Sequence, residues 1–147
     1  KLDTDLLMVM VAQHWDIAEP ASFARHLIKD PLENTEAKDI LYTIGRYDAQ
    51  VPNISSDIAA RTIGLKLMSP SPYDVWGLEK TMGPENSAYV IYDVGAAPVP
   101  LGSRAAEENN VAHEAVRRAD KAQLQMDAFM RPDGKVENFC DGACDPD

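Results

Sequence analysis

Two short runs constrain this chain more than anything else in it: "DILYTI" at residues 39–44 and "AYVIY" at residues 88–92. Both are rich in β-branched or aromatic residues and bounded by polar or turn-forming segments, which reads as strand. "DILYTI" is apolar on both faces, as a central strand of a parallel sheet is. Each run leads towards a helical pattern. "NISSDIAARTIGL" offers Asn53 or Ser55 as a cap, places Ile54, Ile58 and Ala59 on one face, and meets a stop at Gly64. Over residues 111–130, Val111, Ala112, Ala115, Val116, Ala119, Ala122, Met126, Phe129 and Met130 recur at spacings of mostly three and four, until Pro132 and Gly134. Strand, helix, strand, helix is the order of parallel α/β structure.

The rest of the chain is less regular. Residues 4–13, "TDLLMVMVAQ", are apolar almost throughout; the Leu and Met content and Thr4 at a cap position favour a buried helix over a buried strand. Residues 14–37 contain Pro20 and Pro31 and read as a long irregular connection with one helical turn, of the kind that walls or covers a site. The Pro- and Gly-rich segments 68–87 and 95–110 read as loops. The chain thus divides into a connection or lid region at 1–38, a strand–helix–strand–helix core at 39–130, and a tail at 131–147.

Composition excludes several function classes. The net charge of −10 repels phosphate backbones, so nucleic acid is not an expected partner. The longest apolar run, Leu6–Ala12, is far below the length of a membrane span. The chain opens at Lys1-Leu2-Asp3, without Met or a signal-like segment, which is expected of a chain that is trimmed, processed or taken from a longer precursor. The two cysteines, Cys140 and Cys144, flank Gly142, and a disulfide between them would close a small loop in an oxidising, secreted or periplasmic setting. Two free thiols, or pairing with another chain, are the alternatives. No metal site is expected. Cys and His are too few in this stretch, and Asp141, Asp145 and Asp147 do not follow the twelve-residue calcium-loop pattern.

The chemistry gathers at the strand ends. Ligands of open parallel sheets bind beyond the carboxyl ends of the strands. Asp48 lies just past the first run, in "GRYDAQVPN", and His113 lies past the second, where the last helix begins. Neighbouring parallel strands would set these two loops side by side. A buried carboxylate then fixes the imidazole tautomer and stabilises the imidazolium. His14 and His26 are alternative bases, and Asp93, at the end of the second run, is the alternative acid.

"GRYDAQVPN", a helix, a strand and "NNVAHEAVRR" before a final helix together resemble the carboxyl-terminal half of an α/β-hydrolase-fold lipase or esterase, most closely the secreted bacterial enzymes of that type. The resemblance covers residues 15–130. It implies Asp48 as triad acid and His113 as base, a carboxylic-ester or lipid substrate, and no cofactor. Trp15, Phe23 and Val51 are then candidates to line an acyl pocket. The family's G-x-S-x-G motif is absent: Ser22, Ser55, Ser56, Ser69, Ser71, Ser87 and Ser103 all lack the flanking glycines. The expected fold is therefore a partial α/β-hydrolase fold holding the last parallel strands. An amino-terminal half, in a preceding segment or a partner chain, would supply the serine. The alternative is a non-catalytic binding or assembly module that keeps the fold without the chemistry.

Overall fold

The computed structural model describes residues 2–100 and 106–145. It is a mixed α/β structure whose four-stranded sheet is parallel throughout, in the order β1-β4-β2-β3. The strands are β1 (Leu41–Gly45), β2 (Lys66–Met68), β3 (Lys80–Thr81) and β4 (Ala88–Tyr92). The helices are α1 (Leu2–Gln13), α2 (Pro20–Phe23), α3 (Asn53–Ile63), α4 (Ala112–Arg118) and α5 (Asp120–Phe129). β1 and β4 pair in register from Leu41 opposite Ala88 to Gly45 opposite Tyr92, so the loops carrying Asp48 and leading to His113 leave the same end of the sheet.

β4 shows why "AYVIY" has no polar face. It has a strand on either side, and all five of its residues are buried. Tyr89 and Ile91 pack with Ile44, Ala60, Ile63 and Leu67 on the side covered by α3. Ala88, Val90 and Tyr92 pack with Val116, Ala122 and Val136 on the side of α4 and α5. The period-two alternation of a strand divides these residues between two apolar layers.

β1 was expected in the middle of the sheet and lies at its edge. The missing neighbours on the far side of β4 are β2 and β3, which fall at a helix end and inside the segment read as loop. At three and two residues they are too short to show a pattern. The β1 edge is chemically open. Arg46 N–H donates to Tyr92 O at 2.7 Å and Ala88 N–H to Ile40 O at 3.0 Å, which turns the even-numbered residues towards β4. The N–H and C=O groups of Leu41, Thr43 and Gly45 therefore point the other way. Asn53 Nδ2 donates to the Gly45 carbonyl at 2.8 Å, and no strand among the described residues lies beyond Leu41 and Thr43.

Three helical expectations change. The stretch 111–130 is two helices: Ala119 is extended (φ −65°, ψ 127°), and the phase of the buried face resets there. Ala122 and Gln125 turn inwards, while Met126 and Met130 remain exposed. On α3 the buried residues are Ser56, Ala60 and Ile63, and Ile54 and Ile58 face outwards, because the small side chains let the helix lie close on the sheet. Gly64 does end α3 in the left-handed region, at φ 90°. The helix at the start of the chain forms as α1, but none of its residues is buried. Residues 14–27 are short turns: α2 between two 3-10 segments, Asp16–Ala18 and Ala24–Leu27. No helix among the described residues is long and apolar enough to cross a membrane.

Candidate active site

The turn after β1 is built by two asparagines and a glycine. Gly45 sits directly under α4: a Cβ there would lie 2.6 Å from Ala112 O, so only glycine lets α4 come this close. Tyr47 takes a left-handed conformation, φ 62°, which reverses the chain. Asn53 spans that reversal, accepting from Tyr47 N–H at 2.7 Å through Oδ1 and donating to Gly45 O through Nδ2. Asn110 joins the turn to α4. Its Nδ2 donates to Tyr47 O at 2.7 Å, and its Oδ1 accepts from Ala112 N–H at 3.1 Å at the start of the helix.

Asp48 is thereby held rigidly. Its Oδ1 accepts from Gln50 N–H at 2.8 Å and Val51 N–H at 3.0 Å, an Asx-type turn closed on the carboxylate itself. Its Oδ2 accepts from His113 Nδ1 at 2.8 Å. The residue is 7% exposed. Burial pushes its pKa up, but the Val51 N–H, the His113 ring and the Gln50 N–H together outweigh burial and hold the carboxyl below its usual range.

The other ring nitrogen fixes the tautomer. Arg117 Nη2 lies 2.7 Å from His113 Nε2. A guanidinium can only donate, so Nε2 is the acceptor and Nδ1 carries the proton given to Asp48. That is the tautomer a general base requires. A groove of about 500 Å³ opens beside this pair. Its walls include Leu41, Thr43, Val51, Val116, Met126 and Phe129, and they are mostly apolar.

Of the residues singled out in the sequence, Asp48, His113 and Val51 meet at this groove. Trp15 and Phe23 are exposed on the segment before β1 and are not among the lining residues. His14 is exposed, and His26 Nδ1 lies 2.6 Å from Asp30 O. Asp93 pairs with Arg46 Nη1 at 2.8 Å, so the alternative acid is engaged elsewhere. Ser56 lines the groove from α3, yet no described serine is hydrogen-bonded to His113; Ser103 and Asp147 lie outside the described residues. The Sγ atoms of Cys140 and Cys144 are 2.10 Å apart, as in a disulfide, and Cys144 O accepts from Asp93 N–H at 2.7 Å, tying the tail to the end of β4. Among the described residues no group of three or more His, Cys, Asp or Glu side chains is placed to hold a metal ion.

Sequence reasoning missed Gly45, Asn53, Asn110 and Arg117 as site residues. Asn110 carried a signal, since an Asn before a helical pattern is a cap. Arg117 carried one as well, because a residue four positions after His113 on a helix shares its face. Compared with family models, with curated proteins and with solved structures, the chain matches none.

Proposed function

We propose that the chain supplies the acid and the base of a serine-type carboxylic-ester hydrolase of the α/β-hydrolase type. The nucleophile would come from a segment or partner chain that extends the sheet beyond β1. The observation that carries this reading is the 2.8 Å bond between Asp48 and His113 Nδ1, at the carboxyl ends of adjacent parallel strands and open to an apolar groove. In the proposed reaction a serine hydroxyl attacks the ester carbonyl as Nε2 of His113 takes its proton. Asp48 stabilises the imidazolium, which then protonates the departing alcohol. Backbone N–H groups of the completing segment would hold the oxyanion. This chemistry calls for no cofactor. The groove suits an ester with an apolar acyl chain, and a disulfide fits a secreted or periplasmic protein.

Two features support an incomplete sheet. Leu41 and Thr43 present backbone donors and acceptors to an edge with no strand beside it among the described residues. After a polar first turn, α1 is apolar all round from Leu6 to Ala12, with Leu6, Leu7 and Met8 each more than half exposed, and a stretch of that composition belongs in an interior. Residues 1–147 would then form the carboxyl-terminal part of one domain, with 1–38 as its connection or lid region. The alternative, a non-catalytic binding module, is favoured by one observation: Nε2 of His113 is occupied by Arg117 instead of a hydroxyl.

A fluorophosphonate probe distinguishes the two readings. Applied to the protein isolated from its source together with whatever chain or segment completes it, the probe should label a serine outside these 147 residues. Labelling of Ser56, or of no serine at all, would reject the split-enzyme reading.

A further inference from the structure

Arg117 holds the one atom of the dyad that the chemistry needs free. Its Nη2 is 2.7 Å from His113 Nε2, the distance expected for a nucleophile hydroxyl donating to a general base. Nε2 has a single lone pair in the ring plane, so a guanidinium and a hydroxyl cannot both bond to it. We propose that Arg117 is a guard on the base. It fills the nucleophile's place in the uncompleted chain, occupies the lone pair of Nε2, and swings off when a hydroxyl arrives. The role of the hydroxyl rests on the hydrolase reading; the guarding contact does not.

Arg117 cannot stay in place during turnover. Once Nε2 is protonated it has no lone pair to offer, and imidazolium and guanidinium would face each other as like charges at contact distance. The structure provides somewhere for the side chain to go. Arg117 Nη1 is already 3.4 Å from Glu114 Oε1, one helical turn back on α4, and both side chains are more than half exposed. A rotation about the outer bonds of the arginine exchanges the ring contact for a fuller ion pair with Glu114. No buried group has to move. Arg117 is in this account a positioning residue: it sets the state in which His113 waits and takes no part in proton transfer.

Diethyl pyrocarbonate tests the guard without requiring any enzyme activity, because it acylates an unprotonated ring nitrogen that it can reach. The rates at His14, His26 and His113 are read separately by peptide mass at neutral pH, for the unmodified protein and for Arg117→Met. Removing the guard should raise the rate at His113 on the order of tenfold, the worth of one hydrogen bond to a charged donor, and leave His14 and His26 unchanged. Arg117→Ala, a good helix former at an exposed position, gives the same comparison should the Met variant fail to fold. In ¹⁵N spectra the Nε2 resonance should move in either variant, while Nδ1, still bonded to Asp48, should not. Equal His113 rates and an unmoved Nε2 resonance would overturn the guard. A faster His113 with no phosphonate-labelled serine would keep the guard and reject the hydrolase reading instead.

Discussion

Gly45→Ala tests the packing that brings Asp48 and His113 together. An added methyl carbon would lie 2.6 Å from Ala112 O and 3.1 Å from Ala112 C, both backbone atoms that cannot rotate away. An ordinary carbon–oxygen contact needs about 3.4 Å, so α4 and β1 must separate by about 0.8 Å. The Nδ1–Oδ2 bond of 2.8 Å would stretch beyond the roughly 3.2 Å limit of a sound N–H···O bond. Overpacking of this kind costs about 1–3 kcal/mol. The lower backbone entropy of alanine in the unfolded chain returns about 0.4–1 kcal/mol. The expected net loss is about 1–2 kcal/mol, a fall of roughly 0.5–1 M in the urea midpoint. The assay is urea unfolding followed by circular dichroism, with a ¹H spectrum in which the low-field Nδ1 proton of His113 should weaken or vanish. Adding Ala112→Gly should give no rescue, because the obstacle is a carbonyl. A Gly45→Ala protein that keeps both its midpoint and its low-field proton would refute the reasoning.

Two further outcomes follow from the same geometry. The folded-state pKa of Asp48 lies below the unfolded value of about 3.9, so its contribution to stability is complete above that value and is lost as pH falls through the folded pKa. The stability gap between the unmodified protein and Asp48→Asn should therefore shrink as pH falls below about 4; a gap that persists unchanged into strong acid would contradict the assignment. Replacing Cys140 and Cys144 together by Ser should cost about 2 kcal/mol, the chain-entropy value for so short a loop, and should loosen the Asp93 N–H to Cys144 O bond enough to speed exchange of that amide. An unchanged midpoint and a still-protected amide would show that the tail holds without the bridge.

The legible parts of this chain were those in which one residue type answers one physical demand. "DILYTI" and "AYVIY" were legible as strands from their β-branched and aromatic residues, and an aspartate in a strand-ending turn before Val-Pro announced a presented carboxylate. The strand order was not legible, because β2 and β3 are too short to carry a period and are defined only by what they lie beside. The last helix was misread as one because its apolar spacing runs through Ala119, where nothing in the sequence marks a break. On α3 the large apolar residues drew attention to the wrong face, when the close approach to the sheet is made by Ser56 and Ala60. The contacts that assemble the dyad join residues distant in sequence: Gly45 to Ala112, and Asn110 to Tyr47. Such pairings depend on the fold already being known.

The central claim, that Asp48 and His113 are the acid and base of an ester hydrolase, is tested most directly by hydrolysis of a p-nitrophenyl ester. The protein with its completing segment is compared with the same assembly carrying His113→Ala, and with this chain by itself. The account predicts turnover by the complete assembly, none by the isolated chain, and a loss on the order of 10⁶-fold in kcat for His113→Ala. An assembly that hydrolyses the ester equally well without the imidazole of His113, or an isolated chain that is fully active, would contradict it.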